Sequence, residues 1–305
     1  LSHISLLSGS REIIERLQKK SAERFKMQIF HIRRWVIRML YSVVDLGRQA
    51  VMECWRHTVS VEMPERSVRP AVLVIPGGGY SYISDRECEP VASAFFAKGF
   101  HVFVLRYAVG KDADKGRPFM NAMAAIVMLR RKAEDWGIAA SKIAVCGFSA
   151  GGHLAAASGI LSHTKEWLYE VGCTEGENLP NAVILGYPVI TSGQYGHRQS
   201  FENLGSTKPD DEIAQNYSLE RHITANTPPV FVWHTVEDKS VPVENTLLLI
   251  EALRRNRVPF EAHLFEKGAH GGSICSAEVG REDSECSPWF DMAVRWLSCL
   301  FSFKV

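Results

Sequence analysis

From about residue 70 onward, short runs of β-branched and apolar residues alternate with segments whose apolar positions recur every three or four residues. That alternation is the pattern of a parallel sheet whose faces are covered by helices. AVLVIP (71–76) and HVFVLRY (101–107) are nearly continuous apolar runs, as strands buried on both faces require. Between them, ECEPVASAFFAKG (87–99) carries helical spacing and stops at Gly99. PFMNAMAAIVMLRRKAEDWG (118–137) predicts a longer helix, opened by a proline and closed by a glycine. KIAVCG (142–147), NAVILGYP (181–188), PPVFVWHT (228–235) and PFEAHLF (259–265) predict further strands. A Leu-rich helix at 243–255 and an amphipathic one in PWFDMAVRWLSCLF (288–301) complete the series.

Two segments depart from this rhythm. Residues 189–227 are polar and rich in Gly, Ser, Asn and Pro, too long for a plain connection, and are expected to form an insert lining a pocket. Near the N-terminus, Ile29, Ile32, Trp35/Val36, Met39/Leu40 and Val43 recur at helical spacing, with Arg33, Arg34, Arg38 and Arg48 largely off that stripe. Residues 29–57 therefore read as a basic, Trp-containing helical stretch that packs on the main domain or docks a membrane surface or partner. The predicted division is a partly helical, basic extension over 1–65 and one α/β domain over 66–305.

The totals fit this division. A chain of 305 residues can bury roughly three quarters of its surface, enough for one large domain. Its 35 Lys and Arg nearly balance 34 Asp and Glu, which argues against a nucleic-acid partner. Residues 1–50 are the exception, with ten Lys/Arg against four Asp/Glu. Seven cysteines, an odd number with no short-spaced or metal-type pair, predict a reduced and hence cytoplasmic setting. No uncharged apolar run reaches the length of a membrane span or of a signal-peptide core.

The candidate chemistry centres on AVCGFSAGGHLAAAS, 144–158. A strand running into G-x-S-x-G and then a helix is the context of a nucleophile elbow, a turn so tight that side chains two residues either side of the serine would collide. Ser149 is thereby presented at a helix N-terminus, where developing negative charge is favoured. A serine needs a base, and the base needs an orienting acid. In open sheets the three follow in the order Ser, Asp/Glu, His. VEDKSVP after one predicted strand offers Asp238, with Glu237 adjacent as fallback, and EKGAHGG after the next offers His270. Both loops lie beyond the carboxyl ends of strands, where open sheets keep their sites. Of the other histidines, His263 and His101 read as structural, His234 as support for the site, and His153 as a brace for the elbow. PGGGY (76–80) follows the first strong strand, and its Gly78 and Gly79 N–H groups, with that of Ala150, are the expected oxyanion donors. Tyr80, His153 and Tyr187 are expected in the substrate pocket.

VIPGGGY, VLRY, CGFSAGGHLAA, ILGYPVIT, VEDKSVPVENT and FEKGAHG together resemble the α/β-hydrolase superfamily, and within it bacterial acetyl esterases and acetylxylan-esterase-like proteins. The resemblance covers about residues 66–305 and implies a serine esterase with no metal or organic cofactor, acting on acetyl esters of plant-polysaccharide fragments or other small esters. The partner it implies is a small-molecule ester; a homo-oligomer is left open. Pro76 stands where the related loop usually carries a histidine. A peptidase of the prolyl-oligopeptidase type shares the elbow and the residue order, and a non-catalytic binding protein on the same fold is the third reading.

Overall fold

A computed structural model describes residues 39–208 and 210–305. Tyr41–Val305 forms one compact unit. In chain order its strands and helices are β1 (Met39–Gly47), β2 (Ala50–His57), β3 (Arg69–Ile75), α1 (Glu89–Ala97), β4 (His101–Arg106), α2 (Arg117–Arg131), α3 (Ala133–Trp136) and β5 (Ile138–Phe148). There follow α4 (Ser149–Ile160), α5 (Lys165–Val171), β6 (Ala182–Gly186), α6 (Arg198–Asn203), α7 (Glu212–Asn216), β7 (Val230–Thr235), α8 (Glu244–Arg255), β8 (Phe260–Phe265) and α9 (Trp289–Phe301). The eight strands lie in the order β1-β2-β4-β3-β5-β6-β7-β8. β2 runs antiparallel to β4, and β4, β3, β5, β6, β7 and β8 are parallel.

Alternation along the central strands decides which core each side chain enters. Leu73 and Ile75 of β3, Val145 of β5 and Leu185 of β6 join Ile126, Leu154 and Leu253 in one core. Val72, Val74, Cys146 and Ile184, one residue out of phase, join Phe95 and Leu297 on the opposite face. Every residue of β3 is buried, which is why the predicted continuous apolar runs are correct for strands covered on both sides.

The helical reading of 29–57 needs correction over its described part, residues 39–57, which form β1 and β2; residues 29–38 lie outside the described residues. Ser42, Val44 and Leu46 of β1 are half-buried while Tyr41, Val43 and Asp45 are exposed, a period of two. Met39 and Val43 add apolar residues on the open side of this edge strand and Leu40 is also exposed, and that masked the strand period with an apparent helical one. The turn Arg48-Gln49 has φ of +52° and +56°, the primed geometry of a two-residue hairpin, yet lacks the Asn-Gly signal that would have exposed it. The α/β unit accordingly reaches back to Tyr41 rather than beginning at 66.

A second correction concerns the cysteines. Cys275 and Cys286 are disulfide-bonded, because the chain folds back over 11 residues to bring their Cα atoms within 6.3 Å; Cys54, Cys88, Cys146, Cys173 and Cys299 are free. The pairing removes the basis for inferring a reducing compartment. Among the described residues no helix is long and apolar enough to cross a membrane.

Candidate active site

The carboxyl ends of β3, β5, β7 and β8 lead into the loops that carry the predicted site residues. At the end of β5 the chain turns directly into α4, and Ser149 adopts φ +53°, a left-handed conformation that costs a non-glycine residue roughly 1–2 kcal/mol. A Cβ on Gly147 would lie 2.2 Å from the Gly151 carbonyl oxygen, and one on Gly151 would lie 2.2 Å from that of Ile75. The two glycines are thus demanded by backbone crossing within the turn and by contact with β3. The Ser149 carbonyl accepts from Val189 N at 3.1 Å, which ties the turn to the start of the insert.

The three side chains separated by 89 and 32 positions in the sequence meet here. His270 Nε2 lies 2.8 Å from Ser149 Oγ, and His270 Nδ1 lies 2.6 Å from Asp238 Oδ2. With Nδ1–H donating to the carboxylate, Nε2 is left as acceptor for the serine hydroxyl, the tautomer a general base requires. Asp238 is buried and its Oδ1 accepts from Ser240 N and Val241 N, each at 2.9 Å. Burial works against its charged form, but hydrogen bonds from His234, His270 and the Val241 N–H outweigh it and hold the carboxyl well below the usual carboxylate range. His234 stands 3.5 Å from Asp238 Oδ2 while its Nε2–H donates to the Val241 carbonyl. Glu237 is exposed, on the rim of a cavity of about 510 Å³ shared with Lys239, Ser240, Ala269, His270 and Arg281.

Facing the elbow is the loop after β3. Gly78 has φ +123°, and a Cβ there would lie 2.0 Å from the Tyr82 carbonyl oxygen. Gly77 N donates to Glu87 Oε2 at 2.7 Å, which removes it from the set of free donors. Among the described residues, the N–H groups of Gly78 and Gly79 have no acceptor. Ala150 is the second residue of α4, in the first turn whose N–H groups lack partners within the helix. The loop is braced on several sides: Tyr107 Oη donates to the Pro76 carbonyl at 2.7 Å and Asn203 Nδ2 to the Gly79 carbonyl at 2.7 Å. These contacts supply the bracing that a histidine in place of Pro76 could have provided.

Tyr80, His153 and Tyr187, expected in the pocket, are placed differently. All three are buried, and their polar atoms are already engaged. Tyr80 Oη lies 2.8 Å from His153 Nδ1, and His153 Nε2 lies 2.7 Å from the Tyr217 carbonyl. Tyr187 Oη donates to Glu87 Oε1 at 2.7 Å, and its ring meets His270 edge-on with centroids 4.9 Å apart. They support the loops from beneath and expose no polar atom for a ligand. Burial alone pushes the His153 pKa down to about 4 despite the hydrogen bond to Tyr217.

Sequence reasoning passed over three residues. Glu87, 2% exposed, lies below the glycine loop; its spacing of four to Val91 and eight to Phe95, both buried in the same core, was the available signal. His197, in the insert, sits with Cε1 3.7 Å from where a Gly79 Cβ would be, and its Nδ1 lies 2.8 Å from Ser200 Oγ. Burial and neighbouring His270 push its pKa down, against a pull from Asp238. Neither it nor Asn203 lies at a strand end, so no positional rule singled them out.

Known proteins share this arrangement of elements. A family model described as BD-FAE matches residues 59–253. The chain is 36% identical over 214 residues to endo-1,4-beta-xylanase B of Butyrivibrio fibrisolvens, aligning 69% of this chain with 33% of that protein. It is 30% identical over 215 residues to acetylxylan esterase of Xylanibacter ruminicola, 68% of this chain with 42% of the relative. It therefore spans well under half the length of either curated relative. The solved acetyl ester-xyloside bifunctional hydrolase from Caldicellulosiruptor lactoaceticus superposes with a TM-score of 0.74 at 32% identity, covering 84% of this chain and 89% of that one. The sheet order, the helices on both faces and these likenesses identify the α/β-hydrolase fold, and the chain belongs to the BD-FAE family.

Proposed function

We propose that this protein is a serine carboxylic-ester hydrolase that acts through an acyl-enzyme on short-chain esters, acetyl esters of carbohydrates above all. The observation that carries the reading is the unbroken hydrogen-bonded series Ser149 Oγ, His270, Asp238 at 2.8 and 2.6 Å. Ser149 Oγ attacks the ester carbonyl while His270 Nε2 takes its proton, and Asp238 steadies the imidazolium that forms. The oxyanion is held by the N–H groups of Gly78, Gly79 and Ala150, each worth roughly 3 kcal/mol of barrier. His270 then protonates the departing alcohol, and water repeats the sequence on the acyl-enzyme.

The substrate class is supported from two sides. The cavity beside His270 is edged by Glu237, Lys239, Ser240 and Arg281, a polar wall suited to a hydroxyl-rich alcohol rather than to a lipid chain. The relatives named above include an acetylxylan esterase and an acetyl ester-xyloside hydrolase.

The test is hydrolysis of p-nitrophenyl acetate and of acetylated xylo-oligosaccharides, together with labelling by a fluorophosphonate. Ser149→Ala should abolish turnover and labelling with the fold retained. Turnover surviving in that variant would place the nucleophile elsewhere. Hydrolysis of a proline p-nitroanilide with no ester turnover would make the protein a peptidase instead.

A further inference from the structure

A carboxylate is the least expected group to find wholly buried beneath an active-site loop with no cation bonded to it, because desolvation penalises its charge heavily. Among the described residues, Glu87 is such a group. Its two oxygens accept two short hydrogen bonds, one from Gly77 N at 2.7 Å and one from Tyr187 Oη at 2.7 Å. The first comes from the glycine loop after β3. The second leads to the histidine loop: Tyr187 Oη accepts from Ser273 N at 2.8 Å, and Ser273 follows His270 by three residues. Ser273 Oγ returns to the Arg86 carbonyl at 2.6 Å, and Trp289 Nε1 holds the Ser273 carbonyl at 2.9 Å. The path from Gly77 through Glu87 and Tyr187 to Ser273 is therefore closed by a second strap from Ser273 back to the residue before Glu87.

Position makes this path more than packing. A Cβ on Gly77 would lie 2.9 Å from Glu87 Oε2 and 2.9 Å from Ser149 Cβ, so the loop is wedged between the carboxylate and the proposed nucleophile. Turning the Gly77 N–H onto Glu87 also removes that donor from the pocket and sets the peptide from which Gly78 and Gly79 continue. At the other end the Tyr187 ring lies against the His270 imidazole at an interplanar angle of 69°. We infer that Glu87 is a positioning residue: its carboxylate, through Gly77 and Tyr187, locks the oxyanion loop and the His270 loop into one register relative to Ser149. The inference rests on the esterase reading of the site. Burial pushes the carboxyl pKa of Glu87 up, while the Tyr187 and Gly77 hydrogen bonds and the charges of His270 and Arg86 oppose this. The ionised form accepts both bonds at once; protonation would leave an acceptor for the Gly77 N–H but turn the other oxygen into a donor toward Tyr187 Oη, reversing that bond.

Glu87→Gln keeps the shape but replaces one acceptor with a donor: its amide oxygen can still accept from Gly77 N, while its NH2 group faces Tyr187 Oη, which already accepts from Ser273 N, so the Tyr187 hydroxyl proton loses its acceptor. With p-nitrophenyl acetate, kcat should fall about 10²-fold while KM stays within about twofold. Affinity for phenylboronic acid, which mimics the tetrahedral state on a serine, should fall in proportion to kcat/KM. Tyr187→Phe removes a single hydroxyl and should show the same signature at about tenfold. Near-UV circular dichroism reports whether each variant is folded; if Glu87→Gln is not, Tyr187→Phe decides by the same criteria. Wild-type kcat in the folded variants overturns the inference, as does a loss confined to KM with boronate affinity unchanged. Failure of the esterase reading itself is recognised separately, by fluorophosphonate labelling and turnover that persist in Ser149→Ala.

Discussion

Acidification should destabilise this fold through His153, by an amount that follows from where that side chain lies. Its imidazole is wholly buried, with Nδ1 taking the Tyr80 hydroxyl and Nε2–H giving to the Tyr217 carbonyl. The neutral ring satisfies both partners, whereas an imidazolium would oppose the Tyr80 proton in a desolvated site. Its pKa in the folded protein is about 4, against an ordinary 6.5. The folded pKa is the depressed one, so the unfolded chain binds the extra proton first and the contribution to stability is full above pH 6.5 and shrinks as pH falls towards 4. Linkage puts the loss at about 2 kcal/mol by pH 5 and about 3 kcal/mol when both states are protonated. Urea unfolding of the wild type and of His153→Gln at pH 7.5 and pH 5 measures it. Glutamine can accept from Tyr80 and donate to the Tyr217 carbonyl without titrating, and the other buried histidines contribute equally to both proteins. The wild type should lose about 2 kcal/mol more than the variant over this interval. Equal losses in the two proteins would refute the reasoning.

Gly151→Ala should lower stability by about 3 kcal/mol and abolish turnover, since its Cβ would lie 2.2 and 2.3 Å from the carbonyl oxygens of Ile75 and Pro76. Both are backbone atoms leading into the glycine loop, and a melting temperature within a degree of wild type would show that the turn can open. Replacing Cys275 and Cys286 together by serine should lower stability by about 3 kcal/mol, the entropy of closing a loop with an 11-residue separation. An unchanged unfolding midpoint would mean that the loop is held by its other contacts alone.

What the sequence determined by itself was whatever depends on neighbours along the chain. The buried strands β3 and β7 were legible because a parallel strand covered on both faces needs unbroken apolar text. The elbow was legible because Gly147 is required by a steric conflict with Gly151 that arises within five residues, although Gly151 itself is required by the carbonyls of Ile75 and Pro76, remote in sequence. Asp238 and His270 were legible because strand ends and chain order restrict where an orienting acid and a base can stand, and their juxtaposition with Ser149 is now a matter of distances. Tertiary structure decided the rest. β1 and β2 carried apolar residues on both faces at a spacing that mimics a helix, and only pairing at the sheet edge distinguishes the two. Cys275 and Cys286 became partners only when the loop between them folded back. Tyr80, His153 and Tyr187 were found near the site but turned inward, because their partners lie 73 and 100 positions away. Glu87 falls in sequence within the helical spacing of 87–99, which aligns it with Val91 and Phe95 but gives no sign of its acceptor role; that role arises only when the glycine loop and Tyr187 close over it. A hydrogen-bond partner remote in sequence carries no local signature, since the free energy that selects it is gained only when solvent is excluded from both.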